Sequence, residues 1–197
     1  MARDRAARQE AKPIRLFVAV DVPDHARAAL AAVVAANRDR IPGARWTRPD
    51  GWHVTLKFLG STWPRLVDEV KAAAGSAATA SERFETRLTE LGVFPSARRA
   101  RIVWAGVADP DGRFGRIVED LDRRLEDYFV PEKRAFIPHL TVARLVPPRA
   151  LDEFAPDLFG KPVPSKAFPV EELVLYRSHL SPAGARYEPL DRFPLGG

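Results

Sequence analysis

Two short stretches of the chain carry the same side-chain types at the same spacing. His53-Val54-Thr55-Leu56 and His139-Leu140-Thr141-Val142 both read histidine, apolar, threonine, apolar. Successive side chains of an extended strand point to opposite faces, so each histidine shares a face with its threonine while the apolar pair packs into a core. Each copy thus offers an imidazole beside a hydroxyl. An imidazole with its ordinary pKa of about 6.5 gives or takes a proton at neutral pH, and a hydroxyl donates a hydrogen bond to an oxyanion. Two such strands facing one another across a cleft would present an acid and a base to opposite sides of one substrate. One strand alone would not.

The other chemistry-bearing residues narrow the choice. The chain has no cysteine, which removes thiol nucleophiles, thiolate zinc sites and disulfides together. A histidine-based metal site needs a third ligand, and neither motif holds a carboxylate, so no metal or other cofactor is expected. His25, at a helix start, reads as a surface residue, and His179, just before a turn, as a partner in a structural hydrogen bond. Strict alternation along the first motif brings Lys57 to the side of His53 and Thr55, as added positive charge or as a solvated side chain. Arg144, five residues beyond His139, falls on the opposite face unless the strand bends or bulges. Trp46, Trp52, Phe58 and Phe136 flank the motifs. They are candidates to stack a base, with core packing the commoner job for most of them.

The two motifs need strands to carry them and helices to cover those strands. The apolar run 16–20 predicts a buried strand, and the Ala-rich 25–40 a helix ended by Pro42-Gly43. Residues 44–48 read as extended, leading through Pro49-Asp50-Gly51 into a strand over 52–59. A second helix is expected over 63–74, a small-residue loop over 75–81, and strands over 84–93 and 101–107. The apolar periodicity of 114–128 predicts a third helix, and 139–145 carries the second motif strand. A short helix or helical turn at 151–159, a strand at 168–176, a turn at Pro182-Ala183-Gly184 and a returning strand at 186–190 complete the chain. Each half orders strand, helix, His-x-Thr strand and helix, then more strand. The order predicts an α+β protein of two related lobes.

At 197 residues the chain is long enough for one substantial core, and residues 13–197 are expected to form a single bilobal domain after a flexible tail at 1–12. Apolar residues make up 46% and charged residues 29%, ordinary values for a water-exposed globular domain, and no apolar run reaches membrane-spanning length. The charged opening residues lack the apolar segment of a signal peptide, so a cytoplasmic location with no membrane association is expected. The 31 basic and 26 acidic residues give a net charge of +5. That excess suits a polyanionic partner, and a general bias toward Arg accounts for it equally well.

The residues around the motifs resemble a known family. Arg15-Leu16-Phe17-Val18-Ala19-Val20, then Arg45-Trp46-Thr47-Arg48-Pro49 through Phe58-Leu59-Gly60, then Phe136-Ile137-Pro138-His139-Leu140-Thr141-Val142-Ala143-Arg144, and the closing stretch with Ser178, Leu180, Gly184 and Tyr187, are similar to the 2H phosphoesterase superfamily. The resemblance is stronger still to its RNA 2′,3′-cyclic phosphodiesterases, once called 2′-5′ RNA ligases. It implies an α+β fold of two pseudo-symmetric lobes, with antiparallel sheets lining a central cleft and helices on the outer faces. It also implies metal-independent hydrolysis of RNA 2′,3′-cyclic phosphate ends to 2′-phosphomonoesters, with the 3′-oxygen as leaving group. The motifs are symmetric and do not themselves order the two histidines. The resemblance makes His53 the proton donor and His139 the proton acceptor, roles that exchange in the ligation direction. Thr55 and Thr141 would hold the non-bridging oxygens, and Arg144 and Arg48, with Lys57 and Phe58, would contact phosphate or nucleotide.

Two other readings use the same residues. The site could serve 2′-5′-linked oligonucleotides or small cyclic nucleotides, as ligase or phosphodiesterase, or the chain could be an RNA-binding module without turnover. A binder needs phosphate donors and has no use for two titrating imidazoles, which favours the enzyme. The expected partner is an RNA end or oligonucleotide bearing a 2′,3′-cyclic phosphate. The chain is expected to act as a monomer with no obligate protein partner.

Overall fold

The computed structural model describes residues 12–132, 134–152, 155, 157–181 and 184–197. Residues 1–11 of the expected tail, Pro182 and Ala183 of the expected turn, and parts of the expected helical turn at 151–159 lie outside these.

Within them, the first apolar run forms β1 (Ile14–Asp21) in the interior of a sheet. It pairs antiparallel with β3 (His53–Thr62) on one side and β9 (Glu172–Ser181) on the other, and β10 (Gly184–Pro194) pairs with β9 at the edge. A strand covered on both faces has no need of polar alternation, which is why β1 reads as an unbroken apolar run. Leu16, Val18 and Val20 belong to the main core, whereas Phe17 and Ala19 are buried on the other face. A second antiparallel sheet has the order β2 (Arg45–Trp46), β7 (His139–Arg149), β6 (Ala100–Val107), β5 (Leu88–Phe94). The protein is therefore α+β with two four-stranded antiparallel sheets, each carrying one histidine strand.

The helices cover the sheets by burying small and branched residues at helical spacing. Helix α1 (Asp24–Asn37) buries Ala26, Leu30 and Val34. Helix α2 (Val67–Thr79) buries Val70, Ala73, Ala74, Ala77 and Ala78 and packs on β9 and β10. Helix α3 (Arg113–Arg124) buries Phe114, Ile117, Val118 and Leu121 and packs on β3 and α2. It starts where the Asp109 carboxylate accepts the backbone N–H of Phe114 at 2.7 Å and of Gly115 at 3.2 Å, satisfying two otherwise orphaned donors.

Several expected boundaries move. The loop expected over 75–81 is largely the second half of α2, because its alanines have the highest helix propensity and form the face that packs. The strands expected over 84–93 and 168–176 each divide. Their first pieces, β4 (Phe84–Thr86) and β8 (Phe168–Val170), pair with each other as a separate two-stranded sheet. Helix α3 ends at Arg124, four residues short of Tyr128, and continues as turns.

Candidate active site

The two motif strands share an irregularity at the fourth residue of each motif. On β3, His53 stands opposite Asp21, Thr55 opposite Ala19, Lys57 opposite Val18 and Phe58 opposite Phe17. On β7, His139 stands opposite Gly106, Thr141 opposite Trp104, Ala143 opposite Val103 and Arg144 opposite Ile102. In each case the residue after the threonine, Leu56 or Val142, has no counterpart on β1 or β6 and forms a bulge. A bulge inserts one residue and so exchanges the faces of everything beyond it.

That exchange corrects the expectation for Lys57. It does not accompany His53 and Thr55 but turns to the core side, 5% exposed, and its ammonium pairs with the Asp122 carboxylate on α3. Phe58 takes the place on the site face, half exposed, with the Arg15 guanidinium 5.1 Å from its ring centroid. The same exchange on β7 puts Arg144 on the face of His139 and Thr141, which strict alternation forbids. Arg48 forms an exposed ion pair with Asp50 at 2.7 Å, so its charge is already matched. The side chain opposite Arg144 is instead Arg45 on β2.

Each imidazole is set in an aromatic wall. His53 stacks on Phe17 with ring centroids 4.6 Å apart and meets the edge of Tyr187 at 4.9 Å. Tyr176 also stacks on Phe17 at 5.3 Å, lies 6.0 Å from the His53 ring, and donates its hydroxyl to Asp21 at 2.6 Å. His139 meets Phe94 edge-on at 5.2 Å, with Trp104 beyond at 6.4 Å. Trp104 lies over Gly92, where a Cβ would stand 2.1 Å from the indole, so only glycine fits beneath it.

These walls set the acidity of the rings. Burial disfavours the imidazolium of His53 and pushes its pKa down to about 4, against opposing pulls from the Gly51 carbonyl and the Asp21 carboxylate. Burial also lowers the pKa of His139, and the positive charge of Arg144 adds to the effect while the Ile137 carbonyl opposes it. The His139 Nδ1 lies 2.7 Å from that carbonyl. A carbonyl can only accept, so Nδ1 carries the proton and the neutral ring presents Nε2 as its basic nitrogen.

The two halves are tied together beside the histidines. Trp52, buried and adjacent to His53, donates its indole N–H to the Thr47 hydroxyl at 2.7 Å. That hydroxyl reaches the carbonyls of Thr141 and Val142 at 2.9 and 3.0 Å, and the Thr47 backbone N–H also donates to Val142. Sequence reasoning gave Thr47 no role. It also missed Phe17, Tyr176, Tyr187, Phe94 and Trp104 as ring neighbours, because each comes from a strand distant in sequence. Trp52 lies in the core, and Trp46 and Phe136 pack against it, the commoner of their two expected jobs. His25 is exposed, and His179 bonds Glu188 at 2.6 Å, as anticipated for both.

The chain resembles proteins of known family along nearly its whole length. Residues 22–182 match the profile of the 2′-5′ RNA ligase superfamily. An RNA 2′,3′-cyclic phosphodiesterase of Methanothermobacter thermautotrophicus is 32% identical over 92% of this chain and 99% of its own length. One of Thermus thermophilus is 34% identical over 93% and 91%. The crystal structure of TT0787 of Thermus thermophilus superposes with a TM-score of 0.77 at 30% identity, covering 93% of this chain and 99% of that one. With paired histidine strands in matching sheets and a family match spanning most of its length, the chain belongs to the 2′-5′ RNA ligase superfamily of 2H phosphoesterases.

Proposed function

We propose that this chain is an RNA 2′,3′-cyclic phosphodiesterase that opens the cyclic phosphate to a 2′-phosphomonoester without a metal. The observation that carries the reading is the duplicated strand: histidine, threonine, bulge and site-facing fifth residue recur in one register on both sheets. The relatives that bear the activity's name, at 32 and 34% identity over more than nine-tenths of the chain, support it.

His139 is the base. With Nδ1 committed to Ile137, its Nε2 takes a proton from the attacking water. The water oxygen bonds phosphorus as the bond to the 3′-oxygen breaks, and His53 as imidazolium gives that oxygen its proton. The product is a 2′-phosphate beside a free 3′-hydroxyl. The protein is left with the two protonation states exchanged, and solvent resets them. The hydroxyls of Thr55 and Thr141, on the faces of their histidines, donate to the non-bridging oxygens, where negative charge grows in the transition state. Arg144 adds a cation on the same face, and the exposed ring of Phe58 offers a stacking surface.

The test is hydrolysis of an RNA ending in 2′,3′-cyclic phosphate with a chelator present, with identification of the product isomer. A 2′-phosphate that forms in chelator and disappears in His53→Ala and His139→Ala, both still folded, is the expected result. A 3′-phosphate product, a metal requirement or undiminished turnover in either variant would sink the assignment.

A further inference from the structure

A row of arginines runs away from His139 along the edge of its sheet. Arg45 stands opposite Arg144 across the β2–β7 pair, and the guanidinium of Arg149 lies against Gly43, 2.9 Å from where a Cβ would stand. Gly43 precedes Arg45 by two residues, at most about 7 Å of chain. All three arginines are exposed. Like charges directly opposed on neighbouring strands are unfavourable by themselves. Arg45, Arg144 and Arg149 have no ion pair among the described residues, whereas nearby Arg48 and Arg98 pair with Asp50 and Asp152.

Such a row suits a chain of phosphates. A single strand presents one charge per nucleotide, and guanidinium groups meet phosphates with paired hydrogen bonds. The wall around His53 is different in kind, made of Phe17, Tyr176 and Tyr187, and Arg15 on that face already lies over the Phe58 ring. We propose that Arg45 and Arg149 hold the phosphates upstream of the reacting end, so that this chain selects an oligonucleotide over a free nucleoside cyclic phosphate. The inference rests on the phosphodiesterase reading above and names the substrate length that the site prefers.

Two measurements separate the two ideas. The first compares kcat/KM on uridine 2′,3′-cyclic phosphate and on a pentanucleotide ending in 2′,3′-cyclic phosphate, for wild type, Arg45→Ala and Arg149→Ala. The second follows binding of a fluorescein-labelled pentanucleotide bearing a 3′-terminal phosphate across a salt series. Each alanine variant should lose about fivefold in kcat/KM and affinity on the oligonucleotide and about 0.7 of the logarithmic salt slope, with the mononucleotide rate unchanged. Arg45→Lys, which keeps the charge, should keep the slope. Equal losses on both substrates, or oligonucleotide binding that ignores both variants, overturns the proposal. If wild type turns over neither substrate yet loses oligonucleotide binding in the variants, the phosphodiesterase reading fails and the arginine track stands.

Discussion

At the scale of the residue, burial governs the two imidazoles more than charge does. His53 sits against Phe17 and Tyr187, and losing water there drives its pKa to about 4 although a carboxylate and a carbonyl pull the other way. His139 is lowered by burial and then by Arg144. In the free protein at neutral pH both rings are therefore mainly neutral. A bound phosphodiester introduces a negative charge beside them, which stabilises imidazolium and raises both pKa values. The pH profile of kcat/KM reports free protein and that of kcat reports the complex. The kcat/KM bell should accordingly peak on the acid side of the ordinary imidazole value of 6.5, and the kcat bell should lie at higher pH. Rates on a cyclic-phosphate RNA end across pH check this directly. Coincident bells centred above pH 7 would contradict it.

At the scale of the element, the two bulges decide which side chains see the substrate. The bulge at Leu56 sends Lys57 inward to Asp122, and the bulge at Val142 sends Arg144 outward. A buried ammonium with one carboxylate partner is costly to break, because removing one member strands the other's charge. Lys57→Ala should cost about 3 kcal/mol, read as a lower denaturant midpoint, while the surviving folded protein keeps its kcat. Replacing both partners together, Lys57→Met with Asp122→Leu, should recover most of that loss. A drop in kcat at unchanged stability would return Lys57 to the site. The sequence announced the histidine strands because period-two alternation and a doubled motif are local signals. The bulges were not legible, since they depend on which residue of β1 or β6 stands across the ladder. Lys57 was misplaced for that reason alone, and the same register told against Arg144 until a bulge was allowed. Alternation likewise failed at Phe17, where an apolar run hides which of its residues faces the site. The alanines of α2 misled in another way, since small residues signal loops and tight helix packing alike.

At the scale of the molecule, two sheets must hold two histidines in one relative position, and one hydroxyl ties the neighbour of the first to the motif strand of the second. Thr47 receives the indole proton of Trp52, next to His53, and donates toward the carbonyls of Thr141 and Val142, just past His139. Thr47→Val keeps the shape and the backbone bond to Val142 but removes the hydroxyl, leaving the buried Trp52 N–H without its partner. An orphaned buried donor costs about 1–3 kcal/mol, which a domain of this size should survive. Turnover should suffer more than stability, because acid and base act in line and a shift of about 1 Å in their spacing costs up to about a hundredfold. Trp52→Phe removes the other half of the relay. The Thr47→Val and Trp52→Phe effects should therefore be less than additive in both melting temperature and kcat. Full additivity, or a kcat that holds while stability falls, would mean that the sheets keep their spacing without Thr47 and that the core alone sets the distance between the histidines.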